Sequence, residues 1–348
     1  MCLEGKRILV TGGTGSLGQA IVRRLLTGEM GKPARVTVFS RDEAKQHCMR
    51  LSYLNRRSAT DEVIYENFRS LLTFRIGDVR DYSSLLQALR EADVVIHAAA
   101  LKQVPTCEYF PLQAVQTNVF GAANLVRAVR ENDLPIEAVV GVSTDKACKP
   151  INVMGMTKAL MERVLVEANL GQDRTRFVCV RYGNVIASRG SVVPLFLEQI
   201  AQGGPVTVTV REMTRFLLTL DRAVDTVFAA LRSALPGETY VPRVDSARVV
   251  DLAEVLIDGR SIPIVYTGIR PGEKIHEIMV SEEECNRTVE RDGYYVIRPM
   301  LPELGSPRVE KPALTGEYSS ANVTLDGDGL RALLAPYLAE KPWVRELT

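Results

Sequence analysis

The chain has no uninterrupted apolar run approaching the roughly 20 residues that cross a bilayer, so no membrane span is expected. It has no excess of either charge. Its 43 basic and 42 acidic residues leave a formal charge of +1, too little for a global field that recruits nucleic acid or an anionic membrane. Any phosphate must be held locally. There are only three histidines, His47, His97 and His276, and the six cysteines, Cys2, Cys48, Cys107, Cys148, Cys179 and Cys285, include no CxxC pair. Neither a zinc site nor a disulfide framework is indicated, so no metal is expected. The opening MCLEGKRILVTGG enters a strand pattern at once, without the charged segment, apolar stretch and cleavage site of a leader, and the expected location is cytoplasmic.

What is present is a chain of 348 residues, 46% hydrophobic and 24% charged, long enough for a nucleotide-binding domain with a smaller appendage. Its organising stretch is 143–158, STDKACKPINVMGMTK. A hydrophobic run, 136–142, ends there, and Thr144, Asp145 and Lys146 set a hydroxyl, a carboxylate and an amine side by side where a strand end opens onto a ligand crevice. Met154 and Lys158 stand four apart, on one face of the helix that follows.

Along the chain, RILVT (7–11) reads as a first strand, and TGGTGSLG follows before a helix with apolar residues at Leu17, Ile21, Val22, Leu25 and Leu26. Gly12, Gly15 and Gly18 form a GxxGxxG turn that, with Thr14, Ser16 and Leu17, suits a pyrophosphate at a helix start. The second strand, 35–40, ends at Ser40 and Arg41, with Lys45 one helical turn on. An acidic residue there would favour NAD; basic residues favour the 2′-phosphate of NADP. A third strand, 72–76, ends in Gly77, Asp78 and Val79, where Asp78 either meets the adenine or caps the next helix. A fourth, 93–97, ends in Ala98, Ala99 and Ala100, small enough for a cofactor to lie against the backbone. His97, inside an apolar strand, is expected to pack. Lys102 follows in a loop bracketed by Pro105 and Pro111 that is read as irregular, ahead of a helix over 112–130, and it either reaches a ribose or substrate or is a solvated lysine. A sixth strand, 176–182, leads to Gly183, Asn184 and Val185.

Six strands alternating with helices predict an α/β chain, a Rossmann-type doubly wound parallel sheet with a smaller C-terminal substrate-binding lobe. The expected division is 1–187 for the cofactor domain, with later segments free to return to it, 188–298 mainly for the substrate lobe, and 299–348 for a C-terminal arm that either packs on a neighbour or is disordered up to Ser320. In the lobe, a helix is expected over 192–201 and a strand over 206–210. Arg189, Arg215 and Arg270 suit a diphosphate, and IRPGEK (269–274) fixes a loop that exposes Arg270 and Glu273.

The motifs TGGTGSLG, SRDEAKQ, GDVRD, HAAALKQVPTCEYFP, STDKACKPIN, RYGNVIASRGSVVPLF, MTRF and IRPGEK occur in the order of one branch of the extended short-chain dehydrogenases. The chain resembles the inverting UDP-N-acetylglucosamine 4,6-dehydratases of bacterial surface polysaccharide synthesis. Met154, where most of the superfamily carries a catalytic Tyr, resembles the capsule type. The resemblance implies bound NADP, UDP-N-acetylglucosamine as substrate, and a hexamer clasped by C-terminal segments. It implies Lys146 as base at sugar C5, Asp145 as acid at C6, Thr144 at the C4 hydroxyl and Lys158 at the nicotinamide ribose; burial is expected to lower the Lys146 pKa. With no Tyr, the O4 proton is left to Lys158, Asp145 or a bound water. A 4-epimerase on the same sugar nucleotide and an inactive NADP-binding scaffold are the alternative readings.

Overall fold

The computed structural model describes residues 2–54, 68–186, 191–305 and 310–339. Six strands are built from the expected apolar runs: β1 (Arg7–Thr11), β2 (Arg35–Ser40), β3 (Leu72–Ile76), β4 (Val94–His97), β5 (Ala138–Val142) and β6 (Arg176–Val180). Strands that are apolar without alternation demand cover on both faces, and all four residues of β4 and all five of β5 are buried. The cover comes from two helix layers. Ile21, Val22 and Leu25 of helix Ser16–Leu26 pack with Val224, Val227 and Phe228 of helix Leu220–Ser233 on one face. Leu85, Leu125 and Leu165 of helices Tyr82–Leu89, Gly121–Glu131 and Val153–Glu167 pack on the other.

After β6 come β7 (Asn184–Val185), β8 (Val206–Val208), β9 (Thr214–Leu218), β10 (Thr239–Pro242), β11 (Ser246–Arg248), β12 (Ile264–Tyr266), β13 (Ile278–Val280), β14 (Thr288–Arg291), β15 (Tyr294–Ile297) and β16 (Tyr318–Ser319). The large sheet runs β14-β15-β10-β6-β5-β4-β1-β2-β3. Its order reverses between β1 and β4, which leaves a crevice at their carboxyl ends. The register sets Thr11 level with His97, and Thr11 Oγ1 lies 2.9 Å from His97 Nδ1. The fold is thus the expected Rossmann-type sheet with a smaller mixed C-terminal region.

Three strands of the 188–298 stretch lie in the large sheet, a return that the expected division left open: β10 parallel to β6, β15 antiparallel to β10 and β14 antiparallel to β15. Several local expectations differ from the structure. Strands β7, β9 and β11 form one small sheet, β8 with β12 and β13 with β16 form two more, and helices Val192–Ala201, Val249–Ile257 and Gly327–Ala339 share a separate core. The expected arm therefore packs on its own chain within the described residues, with Ser320 fully buried and Leu330 and Leu334 inserted into that core. The segment after Lys102 is not irregular but a short helix, Val104–Tyr109, whose Pro105 falls in the first turn, where a missing N–H is harmless. The helix expected over 112–130 changes pitch at a π-helical stretch, Val115–Phe120, before continuing as Gly121–Glu131. Strand β4 starts one residue later than expected, and the Asp93 carboxylate just ahead of it accepts from Arg7 N–H at 2.8 Å and Arg7 Nη2 at 2.6 Å.

Candidate active site

A cleft of about 680 Å³ opens at the switch point. Its walls are the segments that follow β1, β4, β5 and β6, closed by Arg270 and Glu273 from the loop ahead of β13. Residues Gly12, Thr14, Gly15, Ser16, Leu17 and Gly18 form one wall. At Gly12 the backbone takes φ +66°, and a Cβ would stand 2.7 Å from Ala99 N and 2.8 Å from the Ala98 carbonyl oxygen. Only glycine lets this turn lie against the end of β4. A Cβ on Gly18 would stand 2.5 Å from Gly12 O, so the helix start also depends on a missing side chain. Gly15, the N-cap of helix Ser16–Leu26, offers no side-chain cap, and the first-turn N–H groups are left for an anion in the cleft.

A side cavity of about 70 Å³ adjoins this wall, lined by Ser40, Arg41, Asp78, Val79 and Ala99 and sharing Gly12 and Ala100 with the main cleft. Asp78 is already engaged: its Oδ1 accepts from Arg80 N at 3.0 Å and its Oδ2 from Arg80 Nη2 at 2.6 Å. Burial alone would raise its carboxyl, but Arg80 holds it below the usual range. Asp78 does not cap the next helix; Asp81 does, accepting from Ser83 N and Ser84 N at 2.9 and 3.3 Å. Arg41 Nη1 stands 3.9 Å from Asp78 Oδ2, with its side chain 56% exposed at the cavity mouth. Lys45 lies on the main cleft and pairs with Asp42 at 2.6 Å.

The opposite wall carries ionisable groups. Thr144 caps the 3-10 turn Asp145–Ala147 that follows β5. Helix Val153–Glu167 is capped by Asn152, whose Oδ1 accepts from Gly155 N at 2.8 Å and whose Nδ2 donates to Gly272 O at 2.7 Å, tying the helix start to the RPGEK loop. The helix lies directly on the 145–147 turn, because a Cβ on Gly155 would stand 2.2 Å from Lys146 O. This contact keeps Met154 and Lys158 beside Thr144 and Lys146 in the lining of one cleft.

Asp145 is fully buried and stands behind the cleft wall. Its Oδ1 accepts from Thr144 Oγ1 at 2.8 Å and from Lys146 Nζ at 3.0 Å, while Oδ2 has no partner. Lys146 Nζ also lies 3.0 Å from Glu277 Oε1, and its side chain keeps 20% exposure to the cleft. Burial pushes the Asp145 carboxyl up, against the pull of Lys146. Burial would lower the Lys146 ammonium, but Asp145 and then Glu277 outweigh it, so its pKa is raised rather than lowered as expected. Glu277, which burial alone would raise, is held low by Lys146 and Arg215. Burial brings Lys158 down to about 8, and its ammonium has the Met161 thioether, a weak acceptor, at 3.1 Å. Met154, 5% exposed, packs with Cys107 and Ala114 and brings no exchangeable proton.

Of the remaining expected residues, Ala98, Lys102, Asn184 and Val185 line the main cleft. Burial lowers the pKa of Lys102. Arg215 does not line it: it is 8% exposed, and its Nη1 donates to Thr214 O at 2.7 Å and Ile275 O at 3.1 Å, so its charge acts from behind Lys146 and Glu277. Arg189 lies outside the described residues. His97 packs as expected, fully buried, its pKa lowered to about 3 by burial and by Lys158. Sequence reasoning missed Glu277, Tyr182 and Ser191. The available signal for Glu277 was an acid at the head of the apolar run IMV, three residues after Lys274.

With the geometry in hand, relatives become informative. A family profile described as "Polysaccharide biosynthesis protein" matches residues 8–299. The chain belongs to this family. A protein named UDP-glucose 4-epimerase from Rickettsia akari is 41% identical over 327 residues, 91% of either chain. One named UDP-N-acetylglucosamine 4,6-dehydratase (inverting) from Campylobacter jejuni is 41% identical over 303 residues, 86% of this chain and 84% of that one. The X-ray structure of Pen from Bacillus thuringiensis superposes with a TM-score of 0.85 at 33% identity, covering 97% of this chain and all of that one. Relatives named as an epimerase and as a dehydratase thus match this chain equally well, and similarity alone leaves the reaction between the two. No helix among the described residues is long and apolar enough to cross a membrane.

Proposed function

We propose that this protein is an NADP-dependent UDP-N-acetylglucosamine 4,6-dehydratase that inverts C5 and serves bacterial surface polysaccharide synthesis. The observation that carries the reading is the buried chain of groups Thr144–Asp145–Lys146–Glu277, in contact at 2.8 to 3.0 Å and reaching the cleft that Lys158 also lines. An epimerase has no departing C6 hydroxyl and needs neither an acid nor a base for it, so burying two carboxylates and an amine there would be costly and without use.

The residues present fit the cofactor. The glycine wall and the uncapped helix start suit a pyrophosphate, and Ser40 with the exposed Arg41 suits a 2′-phosphate. A bound nicotinamide would supply the hydride chemistry, oxidation at sugar C4 and reduction at C6. Lys158, close to neutral in pKa, takes the O4 proton in place of the absent Tyr. Thr144 orients that hydroxyl. The 4-ketone acidifies the C5 proton, which Lys146 accepts in its neutral form. Asp145 supplies the proton that lets the C6 hydroxyl leave as water. Two donors occupy Asp145 Oδ1, so a proton on this carboxyl belongs on Oδ2, which lies under Gly183 of the cleft wall. Asn184 Oδ1 and Ser191 Oγ, buried without partners, and Arg270 are the groups that meet the sugar and its diphosphate.

The homo-oligomer, a hexamer by resemblance, is part of the proposal. Support comes from Tyr109, Phe110, Leu112, Phe120 and Leu160, each more than half exposed on neighbouring helices. The second reading, a 4-epimerase, is favoured by the Rickettsia relative. Incubation of the holoenzyme with UDP-N-acetylglucosamine, followed by mass spectrometry and NMR, separates the two. Loss of one water supports the dehydratase, an isomer of unchanged mass the epimerase, and untouched substrate a scaffold.

A further inference from the structure

Lys146 presents a difficulty for the reading above, on which this inference rests. A base at C5 must be neutral, yet its Nζ is clamped 3.0 Å from each of two buried carboxylates, Asp145 and Glu277. Glu277 is 2% exposed and enters from the loop ahead of β13, far from Asp145 in the chain. Its backbone is pinned, with N–H donating to Ser320 Oγ at 2.9 Å and C=O accepting from Ser320 N at 2.8 Å. One carboxylate oxygen meets Lys146 and the other, Oε2, is buried without a partner. The charged groups around it are Lys146 and Asp145 from the turn after β5, Arg215 from β9 and Lys274 from its own loop, while the adjacent His276 ring turns to Thr214 at 2.8 Å.

We propose that Glu277 is a positioning residue that takes the Lys146 proton before C5 is deprotonated and returns it afterwards, so that Lys146 and Asp145 are both reset. The protons close. In the starting state proposed for the relay, Asp145 carries a proton, Lys146 is an ammonium and Glu277 a carboxylate. Transfer of one proton from Lys146 to Glu277 leaves a neutral amine. Lys146 then accepts the C5 proton while Asp145 gives its proton to the departing C6 hydroxyl, leaving Asp145 ionised and Lys146 charged. Lys146 passes a proton to Asp145, Glu277 passes its own to Lys146, and the starting state is restored. Both transfers cross contacts already present at 3.0 Å, and burial, which raises Asp145, against Lys146 and Arg215, which hold Glu277 low, favours Asp145 over Glu277 as the carboxyl that carries the starting proton.

The test is Glu277→Gln, which keeps shape and removes the acceptor. Single-turnover absorbance of the reduced nicotinamide reports C4 oxidation, and mass spectrometry reports water loss. C4 oxidation is expected within about threefold of the parent, and water loss slowed about 100-fold or more at pH 7. The loss is expected to recover as pH rises, because Lys146 must now release its proton to solvent. Parental water loss, or equal slowing of both steps without pH recovery, overturns the proposal. If Glu277→Gln does not fold, Glu277→Asp takes its place. It is expected to slow water loss at least about tenfold with C4 oxidation kept, and equal slowing of both overturns the proposal. A parent enzyme that releases only an isomer refutes the dehydratase itself, a result distinguishable from either.

Discussion

Gly155→Ala sets two physical effects against each other at the seam of the site. The residue is helical, three positions after the Asn152 N-cap, and helix propensity alone favours alanine there by about 1 kcal/mol. Against this, the new Cβ would stand 2.2 Å from Lys146 O and 3.0 Å from Lys146 C, both backbone atoms that no rotamer change can move. Relief requires the helix and the 145–147 turn to separate by roughly 1 Å to reach ordinary contact, and such overpacking costs about 1–3 kcal/mol. Crowding wins, by about 1–2 kcal/mol at the upper end of that range, and the melting temperature is expected to fall by a few degrees. Activity should fall further, on the order of 100-fold, because the displaced turn carries Asp145 and Lys146. Differential scanning calorimetry alongside the water-loss assay measures both. A raised melting temperature with full activity would show that the contact does not bind helix to turn, and the reasoning would fail.

Other expectations follow from the same geometry. Because burial lowers Lys158 to about 8, the neutral amine is about a tenth of the population at pH 7 and gains as pH rises. Single-turnover C4 oxidation should therefore rise roughly tenfold from pH 6 to 7 and level off above about 8; a flat profile removes Lys158 from the O4 proton. Arg41→Ala should weaken NADP binding about tenfold or more and NAD binding less than about twofold, by titration calorimetry, whereas equal losses would contradict a 2′-phosphate at that side cavity. Leu112→Lys should shift the assembly to smaller species in sedimentation, because the residue is 73% exposed in the apolar patch; an unchanged assembly would place the interface elsewhere.

The parallel sheet was legible because β1, β4 and β5 are largely buried apolar runs, and β2 a β-branched one, separated by glycine turns and amphipathic helices, all local signals. The glycine wall and the Thr144–Lys158 stretch were legible for the same reason: residues close in sequence share one turn and one helix face. What stayed hidden depends on contacts between distant segments. Strand β10 pairs with β6 and brings the β14–β15 hairpin with it, although nothing in TYVP distinguishes a return to the large sheet from a lobe strand. Arg181 ends β6 in a buried pair with Glu162 and Glu284 at 2.7 Å each, partners that no local pattern assigns. The direction of the Lys146 shift was misjudged because Asp145 and the distant Glu277 together outweigh burial, and Arg215 was placed on the cleft because its claim on backbone carbonyls is invisible in composition. The short helix at Val104–Tyr109 was masked by two prolines that in fact sit at helix starts.

The central claim is that the buried amine and carboxyl exchange a proton at sugar C5 while water departs from C6. Turnover of UDP-N-acetylglucosamine in deuterium oxide tests it most directly. The account predicts a product lighter by one water that carries a solvent deuteron on C5, visible by NMR. An isomeric sugar nucleotide with C5 still bearing its original hydrogen would contradict it.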